Sequence, residues 1–498
     1  MRIKKIYSVA LALVVFILTS CTAAHMDMED SRKTDGKEIS AGVSVGRTSS
    51  PGIPKYIFLF IGDGMSYPQI QLAADYLHGK ESICFLDFPA AGSATTHNSN
   101  RLIPDSASAG TSIATGHKTV TGCLGMDETA ETSYQTIAEK VHSELGMKVG
   151  IISTASLNHA TPAAFYAHQN SRNNYYPIGL DLMQSGFEFF AGGALISPKG
   201  DKGKQKSLYH LVKENGYHVV RTQKDVQKID TLPVIAVDEH QTDSSNMEYE
   251  IDRGRNMWSL ADYLKKGIDI LDNEKGFFIM CEGGKIDMAC HANDAATAIY
   301  DTLALSDAVS EAVRFAKQHK DETLIIVTGD HETGGLTIGS AGTKYDTYLS
   351  VLAKQKISFD RYNSDYVSAY KKKKTTYKRV LSDIERLFGL KTSGKKSDCM
   401  VMTGYEKKQL ARAYYMSIRK KSPDMSSQEK YKTYGGYEPL TVTVTRILDS
   451  KAGVSFTTYS HTGLPAAVFA YGVGAEAFNG YYDNTEIYKK IVSVLHIG

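Results

Sequence analysis

The chain has 498 residues, of which 57 are lysine or arginine and 55 are aspartate or glutamate, so its formal net charge is only +2. This balance implies no dedicated nucleic-acid surface, which usually comes with a marked excess of basic residues. Hydrophobic residues make up 42% of the chain, which is enough for the core of one large α/β domain with insertions.

The first 21 residues have the pattern of a bacterial lipoprotein signal peptide. Residues 1–5 are basic, residues 10–18 form an apolar stretch shorter than a membrane span, and residues 18–21 resemble a lipobox. Cys21 would become the lipidated first residue of the mature chain; the alternative is an ordinary secretory signal with an incidental cysteine. Residues 22–52 are polar and rich in serine, glycine and charge, and we predict a flexible tether there.

The first predicted strand ends at an aspartate between two glycines. Residues 55–61 form a continuous apolar run, which is typical of a buried parallel strand, and Asp63 follows it. Open α/β sheets bind their ligands at the carboxyl ends of the strands. We therefore expect Asp63 in the functional site, with a simple turn aspartate as the alternative.

Residues 104–111 put a serine at the start of a helix of small residues. Asp105 is a typical N-cap residue, and Ser106 would begin the helix. The unpaired N–H groups and the dipole of a helix N-terminus favour both a serine alkoxide and a bound phosphate. Ser106 is therefore a candidate nucleophile, although Asp-Ser at a helix start is most often only a cap.

A second strand-like run, residues 277–281, leads into carboxylates and a histidine. Glu282 follows the run directly, and Asp287 and His291 are four residues apart. On a helical turn, that spacing puts both side chains on one face, where they could bind one metal ion. An exposed surface pair is the alternative.

Two later segments repeat this pattern. Residues 323–328 form another buried strand, followed by Asp330 and His331 among glycines, and His461 precedes the apolar run 464–471. Apolar runs, a further one being 149–152, alternate with helical stretches such as residues 295–317. This alternation predicts an α/β fold with a mainly parallel central sheet and helices on both faces.

The carboxylates and imidazoles of these segments form one mixed set of oxygen and nitrogen ligands. Such a set suits zinc, and its oxygen-rich part suits magnesium, without any thiolate. Two zinc ions about 4 Å apart would activate a nucleophile and hold the leaving oxygen of an in-line displacement. The set comprises Asp63, Glu282, Asp287, His291, Asp330, His331 and His461.

From about residue 55 to the C-terminus, the chain resembles the bacterial alkaline phosphatases, because these motifs recur in the order of that family. The resemblance implies that Ser106 becomes phosphorylated and that Arg172, in the sequence Ala-His-Gln-Asn-Ser-Arg, clamps two phosphate oxygens. It also implies three metal sites. The first zinc would be held by Asp287, His291 and His461, the second by Asp63, Asp330 and His331, and the magnesium by Asp63, Thr161 and Glu282.

The implied activity is hydrolysis of phosphate monoesters with broad leaving-group tolerance, through a phosphoserine on Ser106, with release of inorganic phosphate. The implied cofactors are two zinc ions and one magnesium ion. Residues 53–498 would be the catalytic domain, exported and anchored in the cell envelope through Cys21, on either its periplasmic side or the cell surface. Because family members are commonly dimers, a homodimer is one assembly to expect.

Two positions depart from the best-known bacterial pattern. His159 stands where that pattern has an aspartate, and Met288 where it has a lysine. In the family these positions surround the magnesium and the bound phosphate, so His159 leaves the identity of the third metal open. Met288 carries no charge, so either phosphate release and the pH optimum differ or the side chain simply packs.

Residues 343–456 differ from the rest of the chain. Tyrosine and lysine become frequent there, strand-helix alternation fades, and we predict an inserted cap, or crown, that varies within the family. The lysine run 371–374 is most simply a solvated face. Beyond Cys21, an odd number of cysteines remains, and their pairing cannot be assigned from sequence; for Cys281 and Cys290 we expect packing or a disulfide. The remaining cysteines are Cys84, Cys123, Cys281, Cys290 and Cys399.

Other functions remain alternatives. A sulfatase would need a Cys or Ser followed by x-Pro-x-Arg, which residues 106–109 do not supply. A phosphodiesterase or phosphonate hydrolase would more usually present threonine and lack a counterpart of Arg172. From a different class, a surface-anchored lipoprotein could capture phosphorylated ligands without turnover, and an assay of the purified protein separates it from an enzyme.

Overall fold

The computed structural model describes residues 52–77, 83–242, 244–395, 397–419 and 425–498. The predicted signal peptide, Cys21 and nearly all of the predicted tether lie outside these residues. The strands are β1 (Tyr56–Gly62), β2 (Ala90–Thr95), β3 (Lys148–Ser153), β4 (Phe189–Gly192), β5 (His218–Val220), β6 (Val234–Val237), β7 (Phe277–Gly283), β8 (Thr323–Gly329), β9 (Glu332–Thr333), β10 (Leu336–Ile338), β11 (Val454–Phe456), β12 (His461–Thr462), β13 (Ala466–Gly472) and β14 (Gly480–Asp483).

Helices connect many of these strands. They are α1 (Tyr67–Tyr76), α2 (Ser106–Thr115), α3 (Ile137–Leu145), α4 (Ala160–Ala163), α5 (Tyr175–Gln184), α6 (Leu208–Glu214), α7 (Gln223–Lys228), α8 (Leu260–Leu271), α9 (Lys285–His291), α10 (Ala295–Ala316), α11 (Phe359–Arg361), α12 (Ser368–Lys373), α13 (Tyr377–Phe388), α14 (Gly404–Arg419), α15 (Ser427–Tyr434), α16 (Pro439–Ala452) and α17 (Thr485–Leu495). Short turns of 3₁₀ helix lie at Cys84–Asp87, Glu250–Asp252, Leu349–Lys354 and Ala475–Phe478, and one π-helical turn spans Tyr362–Val367.

One large sheet carries the fold, in the order β14-β2-β13-β8-β1-β7-β3-β4-β6-β5. Strand β13 runs antiparallel to both of its neighbours, and the other pairs in this sheet are parallel. The mainly parallel α/β fold predicted from the sequence is therefore confirmed. Gly62 at the end of β1 pairs with Gly283 of β7 and Gly329 of β8, so the carboxyl ends of the three central strands lie side by side.

Two apolar layers cover the faces of this sheet. Along β1, Phe58 and Phe60 pack into one layer while Leu59 and Ile61 pack into the other, because successive side chains of a strand point to opposite faces. Helices α8 and α10 contribute to the first layer, and α2, α3 and α17 to the second. Because both faces are buried, the central strands read as continuous apolar runs.

In the described part of residues 343–456, the regular elements before β11 are helices joined by loops. Its buried side chains, among them Leu352, Phe388 and Leu448, join the same apolar layer as Phe58, so this region shares the core of the main body. Lys371 forms an ion pair with Glu438, and the run 371–374 is exposed, as a solvated face requires. Whether this region is an insertion relative to the family stays a prediction.

All five cysteines of the described residues are free. Cys281 and Cys290 are buried in one apolar layer, so of the two alternatives, packing is the one that the structure shows. Across the described segments, no helix is both long enough and apolar enough to cross a membrane.

Candidate metal-dependent active site

The candidate nucleophile lies at the buried start of helix α2. Ser106 is the first residue of the helix, and Asp105 is its N-cap, whose carboxylate accepts hydrogen bonds from the backbone N–H and the hydroxyl of Ser108 at 3.2 and 2.7 Å. Ser106 is 1% exposed, and its Oγ lies 3.2 Å from Nε2 of His331. The predicted cap and the predicted helix start are both present.

His331 also faces two buried carboxylates. Its Nε2 lies 3.2 Å from Asp330 Oδ2 and 3.5 Å from Asp63 Oδ1, and all three side chains are fully buried. Asp63 follows β1 and Asp330 follows β8, so the pairing of these neighbouring strands brings the carboxylates together. These three residues form a group whose ligand atoms lie within 4.8 Å of one another, and we call it the inner cluster.

A second group lies beside it. Asp287 and His291, four residues apart on α9, approach to 3.3 Å between Oδ2 and Nε2. His461 on β12 brings its Nε2 within 3.1 Å of His291 Nε2 and within 3.6 Å of Asp287 Oδ1. We call Asp287, His291 and His461 the outer cluster; the His331 and His461 rings stack with centroids 3.6 Å apart.

The remaining predicted ligands border the inner cluster. Thr161 Oγ1 donates to Asp63 Oδ2 at 3.1 Å, and the hydroxyl of Ser153 donates to Glu282 Oε2. Glu282 belongs to β7 and Ser153 to the neighbouring β3. The structure thus brings every ligand predicted from the sequence to one edge of the sheet.

The histidine tautomers point to a shared cation. Nδ1 of His291 faces the carbonyl of Tyr459 at 2.6 Å, and Nδ1 of His461 faces the carbonyl of Pro104 at 2.8 Å. A carbonyl can only accept, so each Nδ1 must donate and each neutral ring has a lone pair at Nε2. Two lone pairs 3.1 Å apart repel unless a cation lies between them. That cation is either a proton, since Asp287 raises the pKa of His291 to about 9 against the effect of burial, or a metal ion, whose histidine ligands donate their other N–H to a carbonyl in this way.

The carboxylates support the same conclusion. Burial and neighbouring carboxylates raise the pKa of Asp63 and Asp330 well above their usual range, and burial raises the pKa of Glu282 to about 7. Each has an oxygen without a hydrogen-bond partner in the described structure: Asp63 Oδ1, Asp330 Oδ2 and Glu282 Oε1. Bound cations would satisfy these oxygens and offset the crowded negative charge, so the residues fit the implied metals.

Arg172 is positioned for an anion beside the nucleophile. Its guanidinium pairs with Asp105 at 3.0 Å and lies 3.5 Å from Nε2 of His159. Burial lowers the pKa of His159 to about 3, so this imidazole is neutral and adds no competing charge. Arg172 therefore keeps N–H groups that a phosphoryl group could use, since guanidinium and phosphate pair bidentately.

Met288, the second departure, lies on α9 and packs against the apolar layer that contains Phe58. Its sulfur accepts a 3.4 Å contact from the side-chain amide of Asn246, whose oxygen accepts from the N–H and hydroxyl of Ser156. The packing alternative therefore has structural support, while an effect on phosphate release stays a prediction.

Three residues that sequence reasoning missed organise the site. Ser153 bonds Glu282, the hydroxyl of Thr333 donates to Asp287, and Glu332 accepts from Gln69 at 2.8 Å and from the hydroxyl of Thr462. Glu332 stands in a visible Gly-Asp-His-Glu-Thr-Gly-Gly stretch and could have been singled out. Ser153 carried no signal, because its partner lies 129 positions away.

Comparisons with known proteins agree with this geometry. A sequence model of the alkaline phosphatase family matches residues 54–188 and 182–497. Alkaline phosphatase 4 of Bacillus subtilis (strain 168) is 28% identical over 499 residues, spanning 97% of this chain and 96% of the relative.

Solved structures of two bacterial enzymes are also similar. A cold-active alkaline phosphatase from the psychrophile Shewanella sp. has a TM-score of 0.72 at 26% identity, covering 88% of this chain and 99% of that one. The alkaline phosphatase of the Antarctic bacterium TAB5 has a TM-score of 0.61 at 26% identity, covering 89% and 99%.

Proposed function

The chain belongs to the alkaline phosphatase family and is a metal-dependent phosphomonoesterase, and we propose that it works through a phosphoserine on Ser106 at a site for two zinc ions and one magnesium ion. The observation that carries this proposal is the position of Ser106, whose Oγ lies 3.2 Å from Nε2 of His331. Ser106 thus lies at the edge of the inner cluster and at the start of a helix. The helix N-terminus favours the anionic form of its hydroxyl, and a metal ion held by the cluster would do the same.

The two clusters divide the metals between them. The outer cluster, Asp287, His291 and His461, would hold one zinc, and the inner cluster, Asp63, Asp330 and His331, would hold the other. Thr161 and Glu282, together with Asp63, would hold the magnesium. Bound zinc supplies Lewis acidity, which lowers the pKa of a nearby hydroxyl and offsets charge that develops on oxygen.

In the first step, Ser106 Oγ attacks phosphorus and the ester bond to the alcohol breaks in line. The proton of the serine ends on the departing alcohol, and a phosphoserine remains. The N-terminus of α2 stabilises the incoming alkoxide and then the phosphoryl group. Asp105 keeps this helix start in place through its bonds to Ser108.

Arg172 holds the phosphoryl oxygens during this transfer. Its ion pair with Asp105 at 3.0 Å fixes the guanidinium next to Ser106, so the N–H groups are oriented before the charge develops. In the second step, water attacks the same phosphorus from the side that the alcohol vacated. Inorganic phosphate leaves, and Ser106 recovers its proton. Because these contacts address the phosphoryl group, many alcohols serve as leaving groups.

The remaining parts of the proposal concern location and assembly. Cys21 carries a lipid anchor, residues 22–52 form a tether, and residues 53–498 form the catalytic domain at the cell envelope, with a variable insertion at about 343–456. The protein assembles as a homodimer. The sequence pattern of residues 1–21 and the habits of the family support these statements.

The proposal is tested by hydrolysis of an aryl phosphate monoester beside the matching diester and sulfate ester, with metal-replete full-length protein. We expect the monoester to be cleaved, the activity to vanish on chelation and return with zinc plus magnesium, and Ser106→Ala to lose nearly all of it. Ser112→Ala, a later serine of the same helix, is the matched control and should retain activity.

Other outcomes would overturn the proposal. Cleavage of the diester or the sulfate with the monoester untouched would assign the chain to another branch of the superfamily. Binding of phosphate without any turnover would favour the lipoprotein that only captures phosphorylated ligands.

A further inference from the structure

A groove of about 400 Å³ begins at the residue after Arg172. One wall is the segment 173–177, which leads into helix α5, and the other is the loop 199–205. Arg172 itself is about one-quarter exposed. Because Asn173 follows Arg172 directly, the groove begins next along the chain to the residue that the proposed function assigns to the phosphoryl group.

The loop wall is strongly basic. Lys199, Lys202 and Lys204 are exposed, and within the described part of the chain none of them has an ion-pair partner. Asp201 is the single acidic residue of the lining. With three lysines and one aspartate, the lining has a net charge of +2, as large as that of the whole chain. Positive charge concentrated in one groove attracts anions.

The groove is built into the fold on both sides. The hydroxyl of Tyr176 donates to the carbonyl of Lys206 at 2.8 Å, which ties the helix wall to the loop wall. Within the loop, the N–H groups of Gly203 and Gln205 donate to the carbonyls of Gly200 and Lys199 at 2.9 Å each. The basic loop therefore has a defined shape.

Asn158 connects the groove to the catalytic site. Its buried amide donates to the carbonyls of Tyr175 and Ile196 at 2.9 and 3.0 Å, and accepts from the N–H of Ile196 at 2.8 Å. Asn158 stands three positions before Thr161. The side chain of Asn158 thus joins the start of α5, and the segment that leads to the loop 199–205, to the segment that carries Thr161, a predicted magnesium ligand.

We propose that this groove is a leaving-group subsite that binds a second anionic group, a carboxylate or a phosphate, on the alcohol of the phosphate monoester. This inference rests on the proposed function. It makes phosphorylated acids and bisphosphorylated compounds preferred substrates over monoesters of uncharged alcohols, because unpaired lysines gain an anionic partner only with the former.

The test compares phosphate monoesters with and without a second anionic group. Glucose 6-phosphate and 6-phosphogluconate share a primary phosphate ester, but the latter carries a carboxylate at the far end of the chain; glucose 1,6-bisphosphate carries a phosphate. We expect wild-type kcat/KM to be higher for both anionic substrates. The variant Lys199→Gln/Lys202→Gln/Lys204→Gln should lose about tenfold on them and change less than about twofold on glucose 6-phosphate.

A matched control removes the same charge elsewhere. Lys372→Gln/Lys373→Gln/Lys374→Gln alters three exposed lysines of α12 and its C-terminal end and should keep the wild-type preference. Calorimetry on Ser106→Ala protein gives a second readout, since 6-phosphogluconate should bind more weakly after the groove substitution.

The outcomes separate the two claims. If wild-type protein hydrolyses none of the three sugars, the proposed function fails and the subsite falls with it. If glucose 6-phosphate is hydrolysed but the groove variant keeps the wild-type preference, only the subsite is wrong. An equal loss in the control variant would also overturn it, because the effect would then come from overall charge.

Discussion

Asp105 links the nucleophile to the phosphate clamp. Its carboxylate caps α2 through Ser108, accepts from the N–H of Gly122 at 3.1 Å and pairs with Arg172 at 3.0 Å. Although burial opposes ionisation, Arg172 and these donors hold the pKa of Asp105 below its usual value, so the carboxylate stays charged. A single short side chain therefore sets where Ser106 and the guanidinium stand relative to each other.

The first prediction concerns Arg172. Arg172→Ala should lower kcat/KM for a phosphate monoester by about 10²-fold and weaken inhibition by inorganic phosphate, because two preorganised donors to the phosphoryl oxygens are lost. Arg172→Lys should recover only part of the loss, since an ammonium keeps the charge without the bidentate geometry. Steady-state kinetics with phosphate as inhibitor measure both effects.

The matched control is Arg255→Ala, at an exposed arginine. It should leave kcat/KM and phosphate inhibition unchanged. Wild-type phosphate inhibition in Arg172→Ala would show that Arg172 does not hold the phosphoryl group.

At the scale of elements, the short pair β9–β12 holds the two clusters together. His461 pairs with Thr333 across these strands, and Glu332 joins the pair to α1 through Gln69. The carboxylate of Glu332 also accepts from the N–H groups of Gly335 and Leu336 at 3.1 Å each. Glu332 therefore fixes the turn next to His331 and the strand that carries His461.

The second prediction follows from this position. Glu332→Gln should reduce the affinity for zinc by about 10- to 100-fold, because it removes an acceptor that orients the ligands without being one of them. Zinc retained by the protein against rising chelator concentration, measured by elemental analysis, reports the change. Glu128→Gln, an exposed exchange of the same type, is the control; equal zinc retention in both variants would refute the role given to Glu332.

A third prediction concerns the junction between the helical region and the sheet body. Asp252, in the turn Glu250–Asp252, accepts from the N–H of Ser358, the N-cap of α11, at 3.0 Å. Burial raises the pKa of Asp252 from 3.8 to about 6. The folded state thus binds the proton more tightly than the unfolded state, and this carboxyl lowers stability as the pH rises from about 4 to 6.

Asp252→Asn removes this dependence. The difference in free energy of unfolding between Asp252→Asn and wild type should increase by about 2 kcal/mol from pH 4.5 to pH 8. The amide itself changes stability by the same amount at both pH values, so its effect cancels in this comparison. Urea unfolding at the two pH values measures it. The exposed Asp269→Asn should show a constant difference from wild type, and the same constancy in Asp252→Asn would contradict the assignment.

Much of the architecture could be predicted from the sequence, for a definite reason. Strands β1, β7 and β8 are buried on both faces and therefore contain apolar runs, each with a carboxylate at or just after the end of the strand. Strands β5 and β9 have three and two residues, which is too short for any periodicity. The bonds of Ser153 and Thr333 were also invisible, because their partners become neighbours only in the folded chain.

At the scale of the whole molecule, the site joins distant parts of the chain. Asp63 and His461 stand 398 positions apart in the sequence, yet both contribute to clusters that share one sheet edge. Unfolding the chain would separate these ligands, so metal ions bind the folded state far better than the unfolded one. Stability and metal content are therefore coupled through the entire fold.

The fourth prediction tests this coupling. Removal of bound metal by a chelator should lower Tm by about 5 °C or more, and zinc plus magnesium should restore it. Differential scanning calorimetry, with metal content measured on the same samples, decides the outcome. An unchanged Tm in protein shown to be metal-free would mean that the clusters do not stabilise the fold through metal.

The most direct test of the central claim is capture of the phosphoryl group on the protein. Full-length, metal-replete protein is mixed with a phosphate monoester, quenched at acidic pH during turnover, digested and analysed by mass spectrometry, with fragmentation that distinguishes Ser106 from Ser108. We predict one phosphoryl group on Ser106, absent from Ser106→Ala. Turnover without any phosphopeptide, or a phosphoryl group on another residue, would contradict the phosphoserine mechanism.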